Sequence, residues 1–200
     1  MKLICSPTSP YARKIRILLK EKKLEKDVDV EMIDLAKDAT MLRAVNPLGK
    51  LPVLITSEGE AIYDSPVICE FVDRLAGIAK AIPDERSAKW RVLTDQALAD
   101  GLVDAAVNLM ITGRFFEGGL PQAFIKRHMD VFHRVLNEME SRVDSFEEGF
   151  DLGQIAYVSA LDYLAFRYPE FNWSEMRPNL TKWHAQISKR PSVVDTRPPE

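Results

Sequence analysis

The chain has 200 residues, a formal net charge of −3 at pH 7 and 46% hydrophobic residues, which is the composition of a globular protein with a sizeable core. It contains no long block of lysine or arginine, which argues against a nucleic-acid-binding surface. No uninterrupted apolar stretch approaches the ~18 residues that a membrane-spanning helix needs, and the start "MKLICS" lacks a signal-peptide pattern. We therefore expect a cytoplasmic protein that binds neither nucleic acid nor a membrane.

The two cysteines, Cys5 and Cys69, lie in apolar surroundings and form no CxxC motif. We expect both to be buried, reduced thiols. The three histidines have no metal-ligand spacing with Cys, Asp or Glu, and His128 and His133 do not share a helix face. The sequence therefore predicts no metal cofactor.

Over residues 1–77, short extended patterns alternate with helical periodicity. "KLIC" predicts a strand, "ARKIRILLKEK" an amphipathic helix, and "DVDVEMIDL" a strand with Val28, Val30 and Met32 on one face. A loop-like segment with room for a helix precedes "LPVLIT" and "AIYD", which the turn "SEGE" joins as an antiparallel hairpin. With the helical pattern of "SPVICEFVDRLAG", the predicted order is β-α-β-α-β-β-α.

Strand patterns disappear after this point. Residues 78–87 resemble a linker, and four helical patterns follow: from about Ala88 to Thr112, over 120–146, over 154–167, and ending before Pro191. We predict an α/β domain over 1–77, the linker 78–87 and an all-helical domain over 88–200. The polar, proline-rich end "RPSVVDTRPPE" predicts a surface tail instead of a further element.

Several separated motifs, in order along the chain, resemble the cytosolic glutathione transferases: "SPYA", "NPLGKLPVL", "YDSPVICEF" and the all-helical second half. The resemblance is to bacterial members with a serine-type thiol site, and it implies that the first domain is thioredoxin-like. "SPYA" lies where glutaredoxins have Cys-Pro-Tyr-Cys, with Ser9 and Ala12 in place of the two cysteines. Without them the site cannot cycle between dithiol and disulfide, but it can hold the thiol of another molecule.

Ser9 has two possible roles, which do not exclude one another. It can cap the helix that Pro10 begins, because proline is favoured at the first helical position. It can also donate a hydrogen bond to the sulfur of glutathione, whose thiol, like a free cysteine with a pKa near 8.5, is only a few per cent thiolate at pH 7. Lowering a thiol pKa by about two units corresponds to about 2.7 kcal/mol, which a hydrogen bond and a helix N-terminus can supply. Ser6 and Thr8 are alternative donors.

The resemblance implies further contacts with glutathione. Pro52 matches the cis-proline of the thioredoxin-like family, with a trans proline at a strand start as the alternative, and Val53 is implied to pair with the cysteinyl backbone. Asp64 and Ser65 match the pair that holds the γ-glutamyl group, with Ser65 expected as a helix N-cap. Lys50 is implied to reach the glycyl carboxylate, although a lysine before a strand is often simply solvated.

The resemblance also implies a pocket for a hydrophobic electrophile at the end of the first long helix, with Asn108, Ile111 and Phe115 as candidates. Apolar residues at such spacing are more often part of a core. The leading hypothesis is a homodimeric detoxification enzyme that adds the glutathione thiolate to a small electrophile. One alternative is a binding or regulatory protein that has kept the fold and lost turnover. The other is a glutathione-dependent reductase or lyase, although a serine at position 9 argues against disulfide chemistry.

One departure from the family pattern concerns the sixth helix. Family members usually begin it with a Ser/Thr-x-x-Asp capping box, whereas we place Gln154 and Tyr157 at the two positions here. Neither residue can form the reciprocal box, so the sequence predicts that this helix starts without one.

Overall fold

The computed structural model describes residues 1–75, 77, 80–146 and 149–199. Contacts within the chain define two compact units, Met1–Trp90 with Pro191–Glu200, and Arg91–Arg190. The predicted linker, 78–87, begins with two residues that lie outside the described set. The predicted helical domain extended to residue 200, whereas the structure assigns the last ten residues to the first unit.

The first unit contains a four-stranded mixed sheet in the order β2-β1-β3-β4. β1 pairs with β2 in parallel and with β3 antiparallel, and β3 and β4 form the predicted antiparallel hairpin. The elements follow in the predicted order: β1 (Lys2–Cys5), α1 (Pro10–Glu21), β2 (Asp29–Met32), α2 (Ala39–Val45), β3 (Val53–Ile55), β4 (Ala61–Ile62) and α3 (Ser65–Leu75).

The strand register determines which chain segments meet at one end of the sheet. Ile4 of β1 lies opposite Val53, the first residue of β3, and Leu54 lies opposite Ile62, the last residue of β4. The C-terminal ends of β1 and β4 and the N-terminal end of β3 therefore share one end of the sheet. Because α1 follows β1 and α3 follows β4, both helices have their N-termini there.

The apolar pattern of α1 was predicted correctly. Ile15, Leu18 and Leu19 are buried, and α1 packs against α3. A cluster that packs around β1 and β3 contains Ile4, Ile33, Leu42 and Val53. Apolar side chains of the strands and of the helices in this unit are thus buried, as expected for a layered α/β unit.

The apolar face that Val28, Val30 and Met32 share is buried only at its first residue. Val28, which precedes the strand, is buried, but Val30 and Met32 are 37% and 44% exposed. β2 is an edge strand, so only β1 pairs with it. Alternation in the sequence reports that two residues share a face of the sheet, but it does not report whether another element covers that face.

All the regular secondary structure in the described residues of the second unit is helical. α4 (Arg86–Gly113) begins two residues before the predicted Ala88 and continues into this unit. No helix in the described part of the chain is both long and apolar enough to span a bilayer. The remaining helical elements are α5 (Gln122–Arg142), a 3-10 turn (Val143–Ser145), α6 (Leu152–Arg167) and α7 (Pro178–Ile187).

Asp95 of α4 is a buried carboxylate in this unit. It accepts hydrogen bonds from Arg142 Nη1 at 3.2 Å and from the Tyr157 hydroxyl at 3.3 Å. Burial, with the nearby Asp95 charge, raises the pKa of Tyr157, so the phenol stays protonated and donates. The network links α4, α5 and α6.

Gly153 allows α6 to approach α4 closely. A Cβ atom at this position would lie 2.8 Å from Asp95 Cβ and 3.2 Å from the Val92 carbonyl oxygen. We expect Gly153→Ala to lower the free energy of unfolding by about 1–3 kcal/mol, the cost of overpacking a filled interior. Urea denaturation followed by circular dichroism measures this value.

Gly101→Ala is the matched control, because Gly101 lies within α4 and a Cβ atom there would meet no other atom within 4 Å. Alanine at an open helical position stabilises by about 0.5–1 kcal/mol. Equal effects of the two substitutions would contradict the proposed close approach of the helices.

The predicted start of α6 is wrong. The helix begins at Leu152, two residues before the predicted position, and Asp151 is its N-cap. Asp151 Oδ1 accepts a hydrogen bond from the Gln154 backbone N–H at 2.9 Å. The N-cap thus lies three residues before Gln154, where we had placed it. The Asp151 side chain at this position does cap the helix.

The predicted surface tail is also wrong. Residues Pro191–Val194 form a short helix, α8, that packs on α1. Val193 and Thr196 are fully buried, and Arg13 of α1 donates hydrogen bonds to both of their carbonyl oxygens, at 3.2 and 3.1 Å. These partners are about 180 residues apart in the chain, so no local pattern indicates the contact.

Candidate functional site

The end of the sheet at which α1 and α3 begin is the candidate site. It brings together the turn that carries Ser9, the first residue of β3, Val53, and the segment Asp64–Ser65 at the start of α3. Each of these residues could be selected from the sequence separately. The strand register of the structure shows that they lie at the same end of the unit. The N-termini of two helices also provide a positive electrostatic environment there.

Ser9 is the N-cap of α1, and it retains its hydroxyl proton for another partner. Its Oγ accepts a hydrogen bond from the Ala12 backbone N–H at 3.2 Å. The side chain is half-buried, and no residue in the described part of the chain accepts its proton. A hydroxyl can accept and donate at once, so capping the helix leaves Ser9 able to donate to a bound sulfur.

Ser6 and Thr8 are the alternative donors. They lie in the turn before α1, in which the Ser9 backbone N–H bonds to the Ser6 carbonyl oxygen at 3.2 Å. Both are half-buried, and neither side-chain hydroxyl bonds to a described residue. Of the three hydroxyls, only that of Ser9 lies at the helix N-cap.

The Leu51–Pro52 peptide bond is cis. Val53 follows it and pairs with Ile4 on one side, whereas the ladder with β4 begins only at Leu54. Within the described residues, one edge of Val53 therefore has no strand opposite it, as an added peptide strand requires. Val53 is 0% exposed, so a peptide can reach its backbone only after a neighbouring group moves.

Asn46 organises the loop before Pro52, and the sequence analysis assigned it no role. It is 1% exposed, its Nδ2 donates to the Lys50 carbonyl oxygen at 2.8 Å, and its Oδ1 accepts from the Leu48 N–H at 3.0 Å. Gly49 completes the turn with a φ of +61°. The "NPLG" turn signal was the available clue. The Lys50 side chain itself is exposed.

Asp64 and Ser65 lie at the N-terminus of α3. The Asp64 carbonyl oxygen accepts the first helical bond, from Ile68 at 3.0 Å, which makes Asp64, not the predicted Ser65, the N-cap residue. Ser65 is buried, and its hydroxyl makes no hydrogen bond to a described residue. Asp64 is exposed, and its peptide bond with Tyr63 is cis. This pair offers a carboxylate, a hydroxyl and unbonded first-turn N–H groups to a ligand.

Cys5 precedes this site in the chain but is not a reactive thiol. It is fully buried, and burial raises its pKa to about 11, with partial opposition from the Arg16 charge. At pH 7 about one molecule in ten thousand then carries the thiolate. Met32 Sδ lies 3.4 Å from the Cys5 sulfur.

We therefore expect the native protein to resist alkylation. Incubation with iodoacetamide at pH 7.5 should leave the intact mass unchanged over an hour, because both cysteines are buried and the thiolate is the nucleophile. Unfolding in guanidinium chloride should yield two adducts. A rapid single adduct on the folded protein would contradict this result.

The three candidates for the electrophile pocket belong to the second unit. Asn108 and Ile111 lie on the last turns of α4 and are exposed, and Phe115 follows the helix and is 79% exposed. Ile111 and Phe115 thus do not form part of the core, which was the alternative interpretation.

The strand order, the helix positions and the cis peptide bond before β3 define a thioredoxin-like first unit, followed by a helical unit. Models of the glutathione S-transferase N-terminal and C-terminal domains match residues 8–75 and 122–186. The chain belongs to the glutathione S-transferase family. The predicted fold class, a thioredoxin-like α/β domain followed by an all-helical domain, is confirmed.

Full-length relatives support this assignment. The chain is 35% identical to the uncharacterized GST-like protein YibF of Escherichia coli K12, with 100% of each chain covered. It is 40% identical to a glutathione S-transferase of Methylobacillus flagellatus solved with glutathione, covering 99% of each chain at a TM-score of 0.93. A family member from Pseudomonas fluorescens Pf-5, solved with bound glutathione, is 36% identical, with 100% of this chain and 99% of that chain covered at a TM-score of 0.93. The structure solved with S-(propanoic acid)-glutathione is 35% identical, with 100% of each chain covered at a TM-score of 0.90.

Proposed function

We propose that the protein is a glutathione transferase that binds reduced glutathione and adds its thiolate to a small hydrophobic electrophile. The observation that carries the proposal is the Ser9 hydroxyl, which caps α1 through its oxygen and has no acceptor for its proton among the described residues. The glutathione held by relatives of 36% and 40% identity supports the choice of thiol.

Ser9 acts in this proposal by stabilising the thiolate. Its hydroxyl donates a hydrogen bond to the glutathione sulfur, and the N-terminus of α1 adds a favourable field for the negative charge. Both interactions favour the anion over the thiol, so the pKa of bound glutathione falls below its free value. The thiolate then attacks an electrophilic carbon, forming the C–S bond as the leaving group departs with its electron pair.

The rest of glutathione is assigned to the same end of the sheet. The cysteinyl backbone pairs with Val53 after the cis Pro52 bond, and Asp64 with Ser65 binds the γ-glutamyl group. The Asp64 carboxylate suits the γ-glutamyl ammonium, whereas the Ser65 hydroxyl and the α3 N-terminus suit its carboxylate. Lys50, whose side chain is exposed, reaches the glycyl carboxylate.

The electrophile is assigned to Asn108, Ile111 and Phe115 of the second unit. Exposed apolar side chains beside an amide suit a small molecule with an apolar body and a polar group. The glutathione conjugate bound by the Pseudomonas fluorescens relative supports conjugation as the reaction class. We further propose a cytoplasmic homodimer with a role in detoxification.

Calorimetric titration with reduced glutathione, paired with a chlorodinitrobenzene conjugation assay, tests this function. We expect binding at millimolar glutathione or below, and enzyme-dependent conjugation. Absence of glutathione binding would overturn the proposal. Binding without conjugation of any of several electrophile classes would favour the alternative of a transferase-like binding or regulatory protein.

A further inference from the structure

Asn46 joins the end of α2 to the loop that leads into β3, and each of its four polar groups forms a hydrogen bond. Its backbone N–H donates to the Leu42 carbonyl oxygen at 2.8 Å, and its carbonyl oxygen accepts from the Gly49 N–H at 2.8 Å. Its side chain accepts from the Leu48 N–H and donates to the Lys50 carbonyl oxygen. Because the residue is 1% exposed, these groups depend on their protein partners instead of on water.

The side chain of Asn46 accepts and donates at the same time, which limits the residue types that fit. An amide offers a carbonyl oxygen and an NH2 group at one position, whereas an ionised aspartate can only accept. A serine hydroxyl can accept from the N–H two residues later, but it is too short to reach a carbonyl oxygen four residues later. The two side-chain bonds therefore fix the backbone at Lys50 relative to the end of α2.

The bond to Lys50 matters because this loop carries two of the contacts that we assign to glutathione. Lys50 is assigned to the glycyl carboxylate, and Val53, three residues later, to the cysteinyl backbone. Val53 is also held by its pairing with Ile4 of β1. The Lys50 side chain is exposed and forms no ion pair within the described ranges, so its position depends on the backbone that carries it. Loss of the Asn46 bonds should therefore act on Lys50 more than on Val53.

We infer that Asn46 is a positioning residue for glutathione, which sets the affinity for the glycyl carboxylate by holding the Lys50 backbone. It touches neither the ligand nor the sulfur, so thiolate stabilisation by Ser9 does not depend on it. The inference rests on the proposed function and adds a residue that acts through Lys50. The competing explanation is a purely structural role, in which Asn46 stabilises the loop without favouring one ligand over another.

Reduced glutathione and its glycyl ethyl ester distinguish these explanations, because the ester lacks the negative charge that Lys50 is assigned to bind. In calorimetric titrations we expect the wild type to bind glutathione about fivefold more tightly than the ester, as an ion pair at an exposed lysine allows. Asn46→Ala and Asn46→Ser should each bring this ratio towards one. Asn46→Ser keeps an acceptor for the Leu48 N–H, so it tests the inference even if Asn46→Ala unfolds.

Thr56→Val is the matched control, because Thr56 directly follows β3 at the opposite end of the strand from Val53. Thr56 is 7% exposed, and its hydroxyl oxygen accepts a hydrogen bond from the Glu60 N–H at 3.1 Å. The substitution thus also removes a loop hydrogen bond from a buried side chain in the same unit. It should leave the ratio of the two affinities unchanged.

Equal binding of glutathione and the ester by the wild type would overturn the inference. So would a wild-type ratio in folded Asn46→Ala or Asn46→Ser, even where both ligands bind more weakly. Lys50→Met should itself give a ratio near one, and adding Asn46→Ser to it should not change the ratio further, because the two residues act as a unit. A further change in the double variant would contradict the inference. Failure of the wild type to bind either ligand would instead overturn the proposed function.

Discussion

Ser9→Ala should lower the rate of glutathione conjugation by about ten- to a hundredfold. The substitution removes a hydrogen bond to a charged sulfur, worth about 1.5–3 kcal/mol, that the neutral thiol does not need. The pKa of bound glutathione should therefore rise by about one to two units towards its free value. The rising limb of the pH–rate profile for kcat should move to higher pH by the same amount, and stopped-flow absorbance of the bound thiolate measures the shift directly.

Ser9→Asp separates this effect from loss of the helix cap. Aspartate can still accept the Ala12 N–H bond, but an ionised carboxylate has no proton to donate and repels a thiolate. We expect Ser9→Asp to retain the stability of the wild type and to lose conjugation. If Ser9→Ala conjugates at the wild-type rate while Ser6→Ala or Thr8→Ala is slow, the donor is that other hydroxyl.

Asp73→Ala should lower the free energy of unfolding by about 3–5 kcal/mol, the largest stability effect that we expect in the first unit. The Asp73 carboxylate lies 2.5 Å from Lys22 Nζ, and both side chains are 3% exposed. It also accepts hydrogen bonds from the Ala81 and Ile82 backbone N–H groups, at 2.7 and 3.1 Å. Its removal leaves a buried ammonium group and two buried N–H groups without this partner.

Denaturation in urea, with tryptophan fluorescence as the signal, measures this loss. Lys22→Met combined with Asp73→Ala should recover part of the stability, because no charged group then remains buried without its partner. The recovery should be incomplete, since the two backbone N–H groups still lack an acceptor. A loss below about 1 kcal/mol for Asp73→Ala would show that water replaces the carboxylate, contrary to the buried geometry.

The order of the elements could be predicted because each depends on local patterns. Alternation in "KLIC", helical spacing in "ARKIRILLKEK" and the turn "SEGE" are features of neighbouring residues. Errors arose where a residue's environment depends on a distant segment. The segment "RPSVVDTRPPE" has the composition of a surface tail, but nothing in it indicates that Arg13, about 180 residues earlier, binds two of its carbonyl oxygens.

The candidate site was predictable to a similar extent. The hydroxyl of Ser9, the proline of "KLPVL" and the pair Asp64–Ser65 could be selected because their motifs are short. Asn46 was missed because an asparagine in a turn signal is common, and only its burial and two hydrogen bonds distinguish it. The contacts of Ser9 and of the pair Asp64–Ser65 with glutathione remain predictions.

The docking of α8 on α1 has a consequence for biosynthesis. Arg13 emerges early from the ribosome, whereas Val193 and Thr196, whose carbonyl groups it binds, emerge only after the whole of residues 91–190. The thioredoxin-like unit therefore cannot complete its own packing while the helical unit is still being translated. During that interval the buried surface of α1 that later meets Val193 is open to solvent or to a chaperone, so nascent chains arrested before residue 191 should be more sensitive to proteolysis than the released protein.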